Sequence, residues 1–318
     1  MAKLKLASYW AAACGGCDVA ILDVHEKILD IAAAADIVFW PIATDFKYAD
    51  VEAMPDGHID VTLFDGALRN SENEHLAHLL RAKSKVLVAF GSCAHMGGIP
   101  ALANLFTREE IFRRVYEQSP STVNPDHLRP KTKVKVPEGE LEIPEFYDTV
   151  KALNQVVDVD YYVPGCPPTP KQIWNVVTAI VSGQLPPKGA VVGASEKTQC
   201  DECQRKKQEK KISSFKRIAT ARPDPDTCFL EQGFLCMGPA TRGGCDTRCQ
   251  NSGVGCRGCY GPPPGVLDQG AKALSAIASV IEAKEESEVA RIISDIPDTL
   301  RSFNRFGIAG SLITRKVL

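Results

Sequence analysis

Apolar and polar positions alternate in blocks through the first part of the chain. Short apolar runs suited to buried strands lie at Leu4–Trp10, Ile37–Ile42, Ile59–Phe64, Lys85–Phe90 and Val159–Val163. Stretches with helical spacing follow or separate them at Val19–Ala35, Asn73–Lys83 and Gln172–Ser182. Strands that alternate with helices predict an α/β fold with a parallel, doubly wound sheet. Ser119 to Pro144 is rich in proline and charge, and the pattern predicts a surface insertion with little regular structure. The alternation stops beyond Pro186. The expected division is therefore a first domain over residues 1–188 and a mostly irregular or helical second domain over 189–318. Within the latter, "GVLDQGAKALSAIASVIEA" reads as an amphipathic helix whose apolar face packs on its own domain.

Three of the turns between strand and helix carry cysteine. "ACGGCD" places Cys14 and Cys17 after the first strand, "FGSCAH" places Cys93 after the fourth, and "VPGCPP" places Cys166 after the fifth. In a parallel sheet such turns all emerge at the carboxyl edge, so residues far apart in sequence meet there. Glycine in these turns lets the backbone approach an inorganic group and offer N–H donors to it. Structural zinc sites use closely spaced ligands. One CxxC pair with single cysteines on two distant loops suits an iron–sulfur cluster better, since bridging sulfides accept hydrogen bonds.

Composition limits the alternatives. The 318 residues are 44% hydrophobic and 24% charged with a formal net charge of −2, which is ordinary for a soluble protein and gives no general attraction to nucleic acid or membrane. No run approaches the ~18–20 apolar residues of a membrane span. The opening "MAKLKLASYW" reads as a strand, with no cleavable apolar signal and no twin-arginine motif. A cytoplasmic, soluble protein is expected. In a reducing compartment the twelve cysteines are expected to bind metal and not to form disulfides.

Eight of those cysteines lie beyond the first domain: Cys200, Cys203, Cys228, Cys236, Cys245, Cys249, Cys256 and Cys259. "GGCDTRCQNSGVGCRGC" packs four of them among five glycines, too little apolar matter to fold by burial. Its spacing does not match the compact ferredoxin run, so the residues alone give two further metal sites, with clusters preferred over zinc. The basic run Arg205–Arg217 reads as a solvated face or as a docking surface for an acidic partner or a nucleic acid. His95 and Asp18 sit beside cysteines and either tune a cluster or serve local structure; Trp10 packs on its strand or faces a partner. No strand-to-helix turn carries GxGxxG or a Walker loop, so no nucleotide site is predicted.

Taken in order, "CGGC", "GSCA" and "PGCPPTP" resemble the small, electron-transferring subunit of nickel–iron hydrogenases. The resemblance covers most of the chain and implies a flavodoxin-like first domain holding a proximal [4Fe–4S] cluster on Cys14, Cys17, Cys93 and Cys166. Periplasmic members hold a distal cluster by a histidine and three cysteines; here Cys200 stands in the histidine position, followed by Cys203, Cys228 and Cys236. Those members hold a three-iron medial cluster on three cysteines; here Cys245, Cys256 and Cys259 fit them and Cys249 supplies a fourth ligand. Three all-cysteine [4Fe–4S] clusters are thus implied, as in the viologen-reducing, deazaflavin-independent type associated with heterodisulfide reductase. The implied role is an electron relay with no catalytic residue of its own. Implied partners are a nickel–iron large subunit and an onward acceptor, a [2Fe–2S] protein linking to heterodisulfide reductase. The alternatives are a single-cluster subunit of the quinone-oxidoreductase type and a zinc-dependent binding module.

Overall fold

The computed structural model describes residues 3–208 and 210–312. Five parallel strands form the main sheet: β1 (Leu4–Trp10), β2 (Ala35–Phe39), β3 (Ile59–Asp65), β5 (Ser84–Phe90) and β9 (Tyr161–Val163), in the order β2-β1-β3-β5-β9. Counted among themselves the strands run 2-1-3-4-5, the flavodoxin-like doubly wound order. Successive residues of a strand face opposite sides of the sheet, and the core divides accordingly. Phe64, Leu87 and Ala89 pack with Leu76, Ala77 and Leu80 of α4 (Ser71–Lys83) on one face. Leu63, Val88 and Phe90 pack with Ile21 of α1 (Gly16–Leu22) and Ile173 of α7 (Pro170–Val181) on the other.

Three expected elements differ in detail. The helix predicted over Val19–Ala35 is two, α1 and α2 (Ile28–Ala34), because His25 adopts a left-handed φ of 56° that interrupts the hydrogen-bond ladder. The second strand starts two residues early and stops at Phe39. Trp40 accepts the N–H groups of Ala43 and Thr44 in a turn, and Pro41 has no N–H to extend the ladder. The insertion is more regular than expected: β6 (Lys133–Val136) and β7 (Gly139–Glu142) form an antiparallel hairpin, with Gly139 at φ 148° in its turn. Lys133 faces Glu142 and Lys135 faces Glu140 across it, so charge pairing masked a strand pattern. A second short pair, β4 (Leu68–Asn70) with β8 (Phe146–Lys151), carries the chain back to the domain. Helices α3 (Tyr48–Ala53), α5 (Gly91–Met96) and α6 (Arg108–Tyr116) complete this part.

After α7 the chain returns along the sheet edge, where Tyr162 donates to Ala190 O and accepts from Val192 N–H. The remainder is built on short helices: α8 (Gln199–Glu202), α9 (Arg248–Asn251), α10 (Gln269–Ala278), α11 (Glu286–Ser294) and α12 (Thr299–Phe303). It has its own core of Phe229, Phe234, Ile277, Ile292 and Phe303, against which Cys236 and Cys256 are also buried. The amphipathic segment forms α10 with Ala273 and Ile277 in that core, on the side expected.

Candidate metal centres

At the carboxyl edge of the main sheet, Cys14 lies on the β1–α1 turn, Cys17 in the first turn of α1, Cys93 in α5 directly after β5, and Cys166 on the β9–α7 turn. Glycines clear the space around their sulfurs. Gly91 has φ 83°, and a Cβ there would stand 2.4 Å from Cys17 Sγ; one on Gly98 would stand 2.5 Å from Cys93 Sγ. The four thiols also sense each other. Burial pushes Cys17 far above the ordinary thiol range, and the charges of Asp65, Cys93, Cys166 and Cys14 add to the effect. Burial and the neighbouring Cys166 push Cys93 up to about 12. Thiols this costly to ionise side by side become stable thiolates only with a cation between them.

A second set gathers Cys200 on α8, Cys203 at its end, and Cys228 and Cys236 on either side of the turn at Leu230–Gln232. Cys200 is pushed up to about 12 by burial and then by Cys236, while the ammonium of Lys207 pulls the other way. Cys236 rises to about 11 through burial, against the N–H groups of Gly238 and Cys256 that its sulfur accepts. The basic run threads across this set: Cys228 N–H donates to Lys206 O at 2.9 Å, and Lys207 Nζ donates to Cys200 O at 3.3 Å. Arg205 clamps the approach to Cys228, donating to Asp224 O at 2.6 Å and Thr227 O at 3.0 Å from above the Phe229 ring.

Cys245, Cys249, Cys256 and Cys259 form the third set on the glycine-rich loop around α9. Cys259 is pushed up to about 12 by burial and then by Cys245, Cys166 and Cys249. Cys256 is raised well above the ordinary thiol range by burial and by Cys236. Main chain at Arg257, Gly258 and Cys166 favours the thiolate forms of Cys249, Cys256 and Cys259 and offsets part of the rise that burial causes.

The sets touch in a fixed order. Cys166 of the first lies against Cys259 of the third, close enough for its charge and its main chain to act on that thiol. Ser92, beside Cys93, places its hydroxyl 2.6 Å from Cys259 O and 2.7 Å from Gly165 O. Cys256 of the third donates its N–H to Cys236 Sγ of the second at 3.2 Å. The turns gathered the first four cysteines and the resemblance divided the other eight, but neither gave a sign of these contacts or of Ser92.

The donor set fits iron–sulfur clusters. Thiols alone make up each set, glycines open the backbone beside the sulfurs, and main-chain N–H groups point at them. Among the described residues no three His, Cys, Asp or Glu side chains converge as ligands of one ion would. A four-iron cluster instead spreads its four thiolates over four irons.

The other residues singled out in the sequence take structural places. Asp18 is buried and accepts from Trp40 Nε1 at 2.6 Å, so it does not reach the surface where a partner would lie. Beside it, Asp65 is raised to about 10, chiefly by burial and then by Asp18, and stays protonated. His95 packs on Tyr162 with ring centres 4.9 Å apart, and burial and then Arg242 lower it to about 4, which keeps it neutral. Trp10 covers Gly15 at the sheet edge and is 40% exposed.

The sequence profile of the family described as NADH ubiquinone oxidoreductase, 20 Kd subunit, matches residues 14–180, the part that holds the first four cysteines. An F420-non-reducing hydrogenase iron–sulfur subunit of Archaeoglobus profundus is 42% identical over 99% of this chain and 99% of its own length. An F420-non-reducing hydrogenase subunit of Methanocaldococcus jannaschii is 41% identical over 95% of this chain and 94% of its own. Among solved structures, a chain of an NAD+-reducing [NiFe]-hydrogenase in the H2-reduced state aligns at TM-score 0.50 with 31% identity, covering 58% of this chain and 94% of that one. A chain of the Ni-Fe-Se hydrogenase from Desulfomicrobium baculatum shares the fold at TM-score 0.50 and 17% identity over 89% of this chain.

Proposed function

The chain belongs to the family of hydrogenase iron–sulfur subunits, the small subunits of nickel–iron hydrogenases, and on that premise we propose that it is a three-cluster electron relay. Cys14, Cys17, Cys93 and Cys166 hold the proximal [4Fe–4S] cluster, Cys245, Cys249, Cys256 and Cys259 the medial one, and Cys200, Cys203, Cys228 and Cys236 the distal one. When bound, each cluster takes up and gives back one electron at a time. The chain's own part is to fix the clusters in line, set their potentials by hydrogen bonds and burial, and keep water from them. The observation that carries this reading is the order of contact: Cys166 to Cys259 between the first and third sets, and Cys256 to Cys236 between the third and second. The step from the third set to the second is bridged by the Cys256 N–H on Cys236 Sγ, and the step from the first to the third by the Ser92 hydroxyl on Cys259 O.

No residue of this chain acts on hydrogen; the bimetallic site belongs to a nickel–iron large subunit that covers the carboxyl edge of the sheet. Support comes from exposed Cys14 and from exposed apolar side chains on the segments that end β1, form α1 and follow β2, namely Trp10, Val19, Leu22, Ile42 and Phe46. The onward acceptor, a [2Fe–2S] protein linking to heterodisulfide reductase, meets the distal set, where exposed Lys206 and Lys207 lie beside partly exposed Cys200 and Cys228. Residues 1–188 act as the proximal domain and 189–318 as the medial and distal domain. No helix among the described residues is long and apolar enough to cross a membrane, and the reading places the complex in the cytoplasm.

Substitution of Cys200 tests the assignment. Cys200→His keeps the distal cluster but raises its potential, since a neutral ligand replaces an anionic one. Cys200→Ala leaves an open iron, and that cluster becomes labile or degrades to a three-iron form. In both, redox-titrated electron paramagnetic resonance still shows the proximal and medial signals. Three intact clusters with unchanged midpoints in Cys200→Ala would remove Cys200 from the ligand set.

A further inference from the structure

Gln199 joins two of the three sets through a single residue. Its side chain is completely buried, and a buried amide must find partners for both ends. Nε2 donates to Cys245 Sγ at 3.0 Å and to Arg242 O at 3.1 Å, while Oε1 faces Gln250 Nε2 at 3.5 Å. The orientation of the amide follows from chemistry: a main-chain carbonyl only accepts, so the NH2 group must be the end that faces Arg242 and Cys245. Its backbone is pinned as well, since Gln199 N–H donates to Thr241 O at 2.8 Å. The next residue is Cys200. The main chain here carries a thiol of the distal set while the side chain reaches a thiol of the medial set.

We propose that Gln199 sets the potential of the medial cluster by donating to Cys245. The proposal rests on the relay reading above, in which Cys245 is a cluster ligand. The medial position has an anionic cluster on either side, and that charge by itself lowers its midpoint. Its ligand Cys259 adjoins proximal Cys166, and its ligand Cys256 adjoins distal Cys236. An electron placed there is repelled from both directions, and burial weakens the screening of that repulsion. A hydrogen bond to a thiolate grows stronger as the cluster gains charge, so it stabilises the reduced form and raises the midpoint. Gln199 supplies such a bond from a neutral group, which adds no charge to a buried site.

Two variants separate this role from a merely structural one. Gln199→Met keeps the length and buries well but has no N–H. Gln199→Asn keeps an amide but is one methylene too short to reach Cys245. Redox titration followed by electron paramagnetic resonance, on the anaerobically purified complex, is expected to show a lower medial midpoint in both. A shift of about tenfold in the reduction equilibrium, about 59 mV for one electron, corresponds to the loss of one charge-assisted bond. Proximal and distal midpoints and the iron content stay as in the wild type. If the medial midpoint is unchanged in both variants, or all three midpoints move together, the proposal is overturned while the relay reading stands. Loss of the medial signal from both variants would make Gln199 a scaffold and overturn it equally. A wild type without a third cluster signal would instead refute the relay reading on which the proposal rests.

Discussion

Gly91 ends the run of residues leading out of β5 in a conformation that L side chains rarely adopt, φ 83°, with its α-carbon facing Cys17 Sγ. A methyl group there would meet that sulfur at 2.4 Å, closer than any real carbon–sulfur contact. Gly91→Ala is therefore expected to add about 1–2 kcal/mol of backbone strain and to push Cys17 out of line with its three companions. Iron analysis of the purified variant should show about two-thirds of the wild-type iron, with the proximal signal missing and the other two kept. Full iron with an intact proximal signal would mean that Cys17 is free to move, or does not ligate. The cysteines themselves were legible as sets because they come with glycine and proline in turns. Ser92 and Gln199 were not, because a serine or glutamine acts here only through a neighbour that the fold brings from far along the chain. Ser92 reaches Cys259 across 167 positions.

At the scale of elements, Asp160 at the head of β9 ties three parts of the first domain together. Arg81 of α4 donates to it at 2.6 Å, Leu87 N–H of β5 at 2.8 Å, and Lys188 pairs with its other oxygen. Burial alone would raise its pKa, but the bonds from Lys188, Arg81 and Leu87 outweigh burial and hold the carboxyl below its usual range. The charge, and the stability it confers, is thus complete above the unfolded value near 4 and fades only as pH falls through the lower folded value. Asp160→Asn should cost ~2 kcal/mol at neutral pH, read as a lower midpoint in anaerobic chemical denaturation. Equal midpoints would mean that the three ties do not hold the domain. The strands of this domain could be read directly, since β1 falls at Leu4–Trp10 as its apolar run predicts. Elements whose outline depends on a single backbone choice were harder to read. His25 in a left-handed conformation and Pro41 without an N–H each moved a boundary. The hairpin of β6 and β7 escaped because both its strands are exposed, and an exposed ribbon need not alternate apolar with polar.

For the whole molecule, the doubly wound sheet gathers one set of four thiols at its carboxyl edge, and the C-terminal part arranges two more beyond it. The fold class was readable because strand and helix alternate; the order of the three sets came only as what the resemblance implies, since spacing alone says nothing of the approach of Cys166 to Cys259 or of Cys256 to Cys236. The profile match over residues 14–180 stops before the last eight cysteines, whereas the hydrogenase relative from Archaeoglobus profundus aligns over 99% of the chain. A single-cluster subunit and a three-cluster relay therefore differ in what those eight residues bind. The direct test is the iron, acid-labile sulfide and zinc content of the anaerobically purified protein. The relay account predicts about twelve irons and about twelve sulfides per chain, three times four of each, with broad brown absorbance and no stoichiometric zinc. About four irons per chain, or zinc without sulfide, would contradict it.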